Sequence, residues 1–406
     1  MICLLAALTS CHKDDDVKTP KGRTVLVYMS AENQLSSYVN ANVQQMVEGS
    51  KTLDSRNHLI IFVDRATTSD MPYIAEIANG ELKKVKEYSE DFYASDPNEM
   101  REIIKWTAAN YPADDYGLVL WGHASGWIIE DSIATSPYLV GPKKAFGVDN
   151  GKNNSGSDIG KWLNIPSMAQ CITETGIKFK YIFADVCCFQ CVENVYELRN
   201  ATEWLIGSPA EIPGDGAPYD AIMPYMFSKS PDFYKGIIDE YEKYYASRSY
   251  YGTTYSVPLA ATNTSEAASL AQAANQIWGK MPMEDISADG CIYYFGKYYI
   301  AGKGSDRNKI FYDAYDIVRA NTDAATAEAW SGALDRMIAY SSYDTSKEWM
   351  TAGHVTFSDF TLSADRMKCL SMFVPLSIYD NGVGQYNEMI KSMAWYYASG
   401  LCNYMN

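Results

Sequence analysis

Three of the nine cysteines in this 406-residue chain lie in one short stretch, DVCCFQC, as Cys187, Cys188 and Cys191. The stretch follows the apolar run KYIFA and precedes a helical pattern, so it marks the end of a strand and the start of a helix. A thiol at a helix N-terminus lies near the positive end of the helix dipole, which favours the thiolate. These cysteines are therefore the first residues to consider for chemistry.

A histidine occupies a similar position earlier in the chain. His123, one of only four histidines, follows the apolar run YGLVLW and precedes the small residues Ala124, Ser125 and Gly126. A thiol nucleophile needs an imidazole within hydrogen-bond reach and amide donors for the oxyanion. If both strands belong to one parallel sheet, Cys187 and His123 lie at the same edge, and the small residues would let a substrate backbone approach.

Four interpretations of the cysteine cluster remain open from the residues alone. The cysteines can be buried small hydrophobic residues, or zinc ligands, although no second CxxC or HxxxH is present. Cys188 and Cys191 also form a CxxC at a helix start, as in a thiol–disulfide oxidoreductase. The fourth interpretation makes Cys187 the nucleophile and His123 its base.

Short apolar strands alternate with helical patterns from about residue 23 to about 230, which predicts an α/β fold with a mainly parallel sheet flanked by helices. Beyond residue 230 the pattern predicts strands in SVPLAAT and CLSMFVPL, and helices over 231–247, 264–279, 306–320, 322–341 and 385–399. We expect residues 23–230 to form the core and 231–406 an α+β region packed on it.

The composition excludes some classes of protein. The formal net charge is −16, whereas a nucleic-acid-binding protein usually carries a basic face. We therefore expect no nucleic-acid partner.

The N-terminus predicts export. Residues 2–8 are apolar but too few to span a bilayer, and they lead into Leu8-Thr9-Ser10-Cys11. This stretch resembles a bacterial lipobox, which implies a signal peptide over 1–10, lipidation of Cys11 and a tether over 11–22. The expected location is membrane-anchored, in the periplasm or at the cell surface.

YGLVLWGHASGW and FADVCCFQCVENVYEL together resemble the two catalytic blocks of the clostripain family of cysteine peptidases. TVLVYMSAENQL, SDIGKWLNIPSMAQCI and CLSMFVPLSIYDNGVGQYNEM extend the similarity from about residue 23 to 397. The family shares a caspase-like fold with gingipains, legumain and caspases. The resemblance therefore implies a cysteine endopeptidase, with peptide or protein substrates and no required cofactor.

Carried over to this sequence, the family pattern makes His123 the general base and Cys187 the nucleophile. The N–H groups of Ala124 and Cys187 would form the oxyanion hole. Ala124 replaces a usual glycine, which would place a Cβ at the substrate face, and Val186 replaces a usual alanine.

The resemblance also implies cleavage after Arg or Lys. The carboxylates available to bind such side chains are Asp185, Asp215 and Asp220, with Glu211 as a further acid in the same loop. Calcium activation is known in the family, and Asp149, Asn150, Asp158, Glu130 and Asp131 offer oxygen atoms without forming an EF-hand loop. The sequence assigns no metal ligand.

Overall fold

The computed structural model describes residues 22–65, 71–128, 145–151, 160–250, 252–296, 298–300, 303–305, 309–351, 355–380 and 385–405. The predicted signal peptide, most of the tether and Cys11 lie outside these ranges. So do Asp158, Glu130 and Asp131.

Within the described ranges the chain forms fifteen strands and eleven α-helices, numbered here in chain order. The strands are β1 Arg23–Ala31, β2 His58–Arg65, β3 Tyr73–Ala78, β4 Glu81–Glu87, β5 Asp115–Trp121, β6 Phe146–Asp149, β7 Lys161–Leu163, β8 Phe179–Asp185, β9 Thr202–Gly207, β10 Leu259–Asn263, β11 Tyr298–Ile300, β12 Lys303–Ser305, β13 Tyr312–Asp313, β14 Ile338–Ser342 and β15 Ser371–Met372. The helices are α1 Val39–Ser50, α2 Pro97–Asn110, α3 Ile165–Thr173, α4 Val192–Glu197, α5 Tyr219–Met226, α6 Phe233–Ala246, α7 Ala267–Trp278, α8 Asp316–Asn321, α9 Ala324–Met337, α10 Tyr386–Met389 and α11 Ala394–Ala398.

Nine of these strands form one central sheet in the order β14-β10-β9-β8-β5-β1-β2-β3-β4. The five strands from β9 to β2 run parallel, and the two outer strands on each side are added antiparallel. The predicted α/β class is confirmed, with a sheet that is parallel at its centre and mixed at its edges.

The central strands are apolar runs because both of their faces are covered. Along β1, Leu26 and Tyr28 pack into one core, whereas Val25, Val27 and Met29 pack into the other. This alternation is the two-residue period of a strand, seen here with apolar residues on both sides. Burial on both faces fixes the register of these strands, because a one-residue slip would exchange the two faces.

Residues beyond 230 contribute β10 and β14 to the same sheet. A later segment also contacts the cysteine stretch: the Ser371 N–H donates to the Gln190 carbonyl at 3.1 Å, and the Phe373 N–H donates to Glu193 Oε1 at 2.8 Å. The C-terminal part of the chain therefore supports the loop that carries Cys187. The boundary at residue 230 stays a prediction.

Some predicted helices beyond 230 were wrong in extent. The stretch 322–341 is helical only to Met337, where the chain turns into strand β14. In the stretch 306–320 the helix begins at Asp316, and 385–399 divides into α10 and α11. Strand pairing decides the first case, since the run IAYSS pairs with β10 and tertiary pairing overrides local helix propensity.

Candidate active site

The pairing of β5 with β8 positions the two predicted catalytic residues. Trp121, the last residue of β5, lies opposite Asp185, the last residue of β8. One residue follows each strand, Gly122 and Val186, and then come His123 and Cys187. Adjacent strands lie about 4.8 Å apart, so the structure brings His123 and Cys187 to equivalent positions at one edge of the sheet. Both are partly exposed there.

The backbone around His123 is held by the short strand β6. The Gly147 N–H donates to the His123 carbonyl at 2.7 Å, and the Ser125 N–H donates to the Ala145 carbonyl at 3.2 Å. Gly122 enables the turn, because its φ is +152° and a Cβ there would lie 2.9 Å from the Ser30 carbonyl oxygen. His123 is therefore presented by a fixed backbone.

Ala124 forms an isolated bridge with Phe146, and the two hydrogen bonds that flank the bridge use the N–H groups of Ser125 and Gly147. Neither bond uses the Ala124 N–H. The Ala124 side chain is 7% exposed and belongs to the apolar core. The methyl is therefore covered by the core, and its relation to a bound substrate stays a prediction. Val186 is likewise buried in that core.

Gly126 also has a different role from the predicted one. Instead of facing a substrate it is buried, and a Cβ built on it would lie 2.6 Å from Phe311 and 2.8 Å from the Cys188 carbonyl oxygen. Its φ of +64° is in the left-handed region. Glycine is needed here for the close packing of the histidine turn against the cysteine turn.

The Cys187 thiol is held by the loop that follows β9. Its Sγ accepts a hydrogen bond from the Ile212 N–H at 3.4 Å. The next residue, Cys188, has a left-handed φ of +53°, and its N–H donates to the Ala210 carbonyl at 2.8 Å. Burial and the negative charge of Glu211 raise the pKa of Cys187 to about 12. Both influences favour the neutral thiol over the thiolate.

Cys188 and Cys191 pack in the core and are 1% and 0% exposed. Burial raises the pKa of both thiols, so neither has the accessible thiolate that disulfide exchange requires. The seven cysteines of the described part are free thiols, and that part contains no cysteine–histidine cluster with metal-ligand spacing. The geometry favours the buried-hydrophobic interpretation for these two cysteines.

The three predicted substrate carboxylates lie in different environments. Asp185 is 4% exposed, and it accepts hydrogen bonds from the Ala217 N–H at 3.0 Å and from the hydroxyls of Tyr219 at 2.7 Å and Tyr241 at 3.2 Å. Burial raises the pKa of Asp185 to about 6. Asp185 thus anchors the loop before α5.

Asp215 and Asp220 lie further along the same loop and on α5. Asp215 is partly buried; its carboxylate accepts from the Tyr250 hydroxyl, and its carbonyl accepts from Asn42 at 2.8 Å. Asp220 is exposed in the first turn of α5, with its Cα about 3.1 Å from a Cβ built on Gly49 of α1. Asp220 is therefore exposed where the start of α5 packs against α1.

Residues 208–218, the loop that joins β9 to α5, hold the cysteine turn through main-chain contacts that the sequence did not predict. Ala210, Ile212 and Ala217 contact Cys188, Cys187 and Asp185 in turn through their backbones. Glu211, next to Ile212, accepts a hydrogen bond from the Thr351 hydroxyl, and its negative charge raises the pKa of the Cys187 thiol. Backbone contacts of this kind leave no residue-type signal in a sequence. The stretch GSPAEIPGDGAP predicted a loop with the candidate substrate carboxylates Glu211 and Asp215, but not these main-chain contacts.

The structure thus places the thiol of Cys187 and the imidazole of His123 beyond the ends of neighbouring parallel strands. The model of the clostripain family matches residues 27–375. The chain therefore belongs to the clostripain family, and it is a cysteine-type peptidase.

Similar solved structures share the fold. One is a secreted C11 cysteine protease from Bacteroides thetaiotaomicron in complex with an irreversible peptide inhibitor; the identity is 23%, the TM-score 0.73, and the match covers 94% of this chain and 99% of that one. Another is an inactive zymogen C11 protease from Parabacteroides distasonis, with 23% identity, a TM-score of 0.72 and the same coverage. No curated protein was found to match. The predicted caspase-like architecture is confirmed.

Replacing Glu211 by Gln should lower the pKa of the Cys187 thiol, because a negative charge that disfavours the thiolate is removed. At pH 7 the alkylation of Cys187 by iodoacetamide should then be faster by roughly threefold to tenfold, which corresponds to about half a pKa unit to one unit. The rate is followed by mass spectrometry of the Cys187 peptide over a pH series.

The matched control is Glu203→Gln, an exposed carboxylate on β9 that pairs with Lys180. This variant should leave the alkylation profile of Cys187 unchanged. An unchanged profile in the Glu211→Gln variant would show that Glu211 does not set the thiol pKa.

Proposed function

We propose that this peptidase is an endopeptidase that works through a Cys187–His123 dyad and cleaves after Arg or Lys. The observation that carries the dyad is the pairing of Trp121 with Asp185, which places His123 and Cys187 at matching positions beyond adjacent strands. Acyl transfer needs a nucleophile and a proton acceptor side by side.

In the proposed reaction Cys187 Sγ attacks the carbonyl carbon of the scissile bond while the imidazole of His123 takes the thiol proton. His123 then donates that proton to the leaving amine, and the C–N bond breaks to give a thioester. The N–H groups of Ala124 and Cys187 hold the oxyanion. Water, deprotonated by His123, hydrolyses the thioester and restores the thiol.

A high thiol pKa makes the base essential to this reaction. Since burial and Glu211 disfavour the thiolate, the proposed reaction has the proton leave Cys187 for His123 as the attack proceeds. The fixed backbone of His123 keeps the imidazole in place for that transfer, and hydrogen bonding of the oxyanion adds a stabilisation that the ground state lacks.

Replacing Cys187 or His123 by Ala should reduce the cleavage of Arg- and Lys-containing peptides by at least about 10³-fold, because the covalent step is lost. Cleavage is measured with internally quenched peptides, and an electrophilic peptide inhibitor should label the native chain at Cys187. Cys188→Ala and Cys191→Ala are matched controls from the same turn, and each should retain activity once its thermal unfolding midpoint shows that it is folded.

Two outcomes would contradict the dyad. If the native chain cuts no peptide and the inhibitor does not label Cys187, the chain is a catalytically weak relative that acts as a surface binding protein. If the Cys188→Ala or Cys191→Ala variant loses a disulfide-reductase activity instead, the CxxC interpretation holds.

The preference for basic residues rests on the acidic loop 208–218 beside Cys187. Glu211 is adjacent to Ile212, whose N–H donates to Cys187 Sγ. Asp215 lies between Ile212 and Ala217, whose N–H donates to Asp185. A guanidinium or ammonium group in this loop would form charge-assisted hydrogen bonds with a carboxylate. We assign Asp215 as the main contact. Asp185 holds the loop through its hydrogen bonds with Ala217 and Tyr219, and Asp220 is exposed in the first turn of α5.

Replacing Asp215 by Asn should raise KM for Arg and Lys peptides by roughly 10-fold to 100-fold, the equivalent of about 1.5–3 kcal/mol for a charge-assisted hydrogen bond. Cleavage of a peptide with a neutral residue before the scissile bond should change little. Asp220→Asn, at an exposed position nearby, is the matched control. An equal loss for basic and neutral peptides would show that Asp215 only maintains the loop.

We also propose that the chain is tethered by lipid at Cys11, on the basis of the lipobox-like Leu8-Thr9-Ser10-Cys11. None of the helices in the described ranges has the length and hydropathy needed to cross a bilayer. Acyl chains on Cys11 would hold the peptidase at a membrane surface through residues 11–22.

Replacing Cys11 by Ser should move the protein from the membrane fraction to the soluble fraction of a bacterial host and abolish its labelling by a palmitate analogue. Cys402→Ser, which removes another thiol, should leave both unchanged. Retention of the Cys11→Ser variant in the membrane fraction would contradict the lipid tether.

A further inference from the structure

Hydroxyl groups of the protein itself occupy the carboxylates that lie near Cys187. In Asp185 both oxygens are used: Oδ2 accepts from the Tyr219 hydroxyl at 2.7 Å, and Oδ1 accepts from the Tyr241 hydroxyl at 3.2 Å. The Ala217 N–H is a third donor, to Oδ2 at 3.0 Å. Because Asp185 is also only 4% exposed, it has no accessible acceptor left for a substrate cation.

Asp215 is occupied at one of its two oxygens. Its Oδ2 accepts from the Tyr250 hydroxyl at 2.5 Å, and among the described residues no donor reaches Oδ1. Asp215 is only partly buried. Its Oδ1 is therefore the carboxylate oxygen that remains for a substrate side chain.

Tyr250 is held in place by contacts other than its hydroxyl. Its ring stacks on the ring of Tyr245, with a centroid distance of 6.3 Å and an interplanar angle of 28°. Its backbone exchanges two hydrogen bonds with Thr253, at 2.9 and 3.0 Å. The Tyr245 hydroxyl in turn donates to the carbonyl of Gly216, the residue after Asp215, at 2.7 Å. The Tyr250 ring is therefore fixed against the loop that carries Asp215.

Glu211, the third acid close to Cys187, does not offer a free pair of oxygens either. Its Oε2 accepts from the Thr351 hydroxyl. Its negative charge also raises the pKa of the Cys187 thiol. Each acid near the candidate nucleophile is thus shared with a hydroxyl of the chain itself.

Lysine and arginine side chains make different demands on a carboxylate. A guanidinium presents a planar fork of N–H groups and gains most from a carboxylate that offers both oxygens at once. An ammonium is a compact point charge on a flexible stem, and one oxygen is enough to pair with it. The nearby tyrosine rings do not reverse this difference, because both cations can lie on an aromatic face and gain less there than from a charge-assisted hydrogen bond.

We propose that Tyr250 is a specificity-determining residue and that the peptidase cleaves after Lys in preference to Arg. This preference rests on the proposed function, in which Asp215 binds the basic side chain of the substrate. The substrate ammonium donates to Oδ1 of Asp215 while the Tyr250 hydroxyl keeps Oδ2. An arginine has to displace that hydroxyl or bind through one oxygen alone, and either way one hydrogen bond is lost.

The test compares two internally quenched peptides that differ only in having Lys or Arg before the scissile bond. For the native chain, kcat/KM should be at least about threefold higher with the Lys peptide. The variant Tyr250→Phe keeps the ring and removes the hydroxyl. In this variant the ratio of kcat/KM for Arg to kcat/KM for Lys should rise about tenfold, because the guanidinium gains its second hydrogen bond.

Tyr340→Phe is the matched control. The Tyr340 hydroxyl donates to Asp239 at 2.6 Å from β14, the outermost strand of the sheet, so this variant also loses a hydrogen bond between a tyrosine and a carboxylate. Its ratio of Arg to Lys cleavage should equal that of the native chain. The thermal unfolding midpoint shows whether each variant is folded.

A second measurement needs no variant and decides the matter if Tyr250→Phe does not fold. Butylamine and butylguanidine carry the two cations on the same short stem. Butylamine should inhibit cleavage of the Lys peptide by the native chain at a lower concentration than butylguanidine, because it pairs with a single oxygen. Equal inhibition, or stronger inhibition by butylguanidine, would contradict the preference for Lys.

The remaining outcomes separate this preference from the proposed function. If both peptides are cut and Asp215→Asn raises KM for both, then a native preference for Arg, or an unchanged ratio in Tyr250→Phe, overturns the role of Tyr250 alone. An equal change of the ratio in Tyr340→Phe would also overturn it. If neither peptide is cut, or Asp215→Asn leaves KM unchanged, the proposed function fails and the preference for Lys fails with it.

Discussion

The pairing of β5 with β8 is the constraint on which the candidate site depends. Because Trp121 lies opposite Asp185, the residues two positions beyond them, His123 and Cys187, leave the sheet side by side. Both strands are buried on both faces, so a shift by one residue would move each apolar side chain to the wrong core. The same hydrophobic pattern that stabilises the sheet therefore fixes the backbone positions of His123 and Cys187 relative to each other.

Main-chain contacts from segments without a recognisable sequence motif also hold the candidate site in place. Residues 208–218 contact Cys187, Cys188 and Asp185 in succession, and strand β6 holds the histidine turn. Gly126 allows the two turns to pack against each other, since any side chain there would collide with Phe311 and Cys188. The two candidate catalytic residues are thus held mainly by main-chain hydrogen bonds and close packing.

Acidic groups surround this edge of the sheet and set its electrostatics. Glu211 disfavours the thiolate of Cys187, whereas Asp215 and Glu211 would favour a cationic substrate side chain in the same loop. Glu32, Asp64 and Asp91 bring three more acidic side chains together at this edge. The net charge of −16 is consistent with a cationic partner at this edge, but it gives no location for the acids.

By itself the sequence determined the α/β class, the strand that leads to His123, the strand that leads to Cys187 and the family, because apolar runs and short motifs are local features. It could not decide the burial of the Ala124 methyl or the packing role of Gly126, since both depend on how the chain turns after β5. It could not decide the end of α9 at Met337 either, because that depends on the pairing of β14 with β10. Nor could it bring Glu32, Asp64 and Asp91 together, because they lie 27 to 59 positions apart in sequence. Only the tertiary structure decides such convergence, since the parallel sheet gathers the ends of distant strands at one edge.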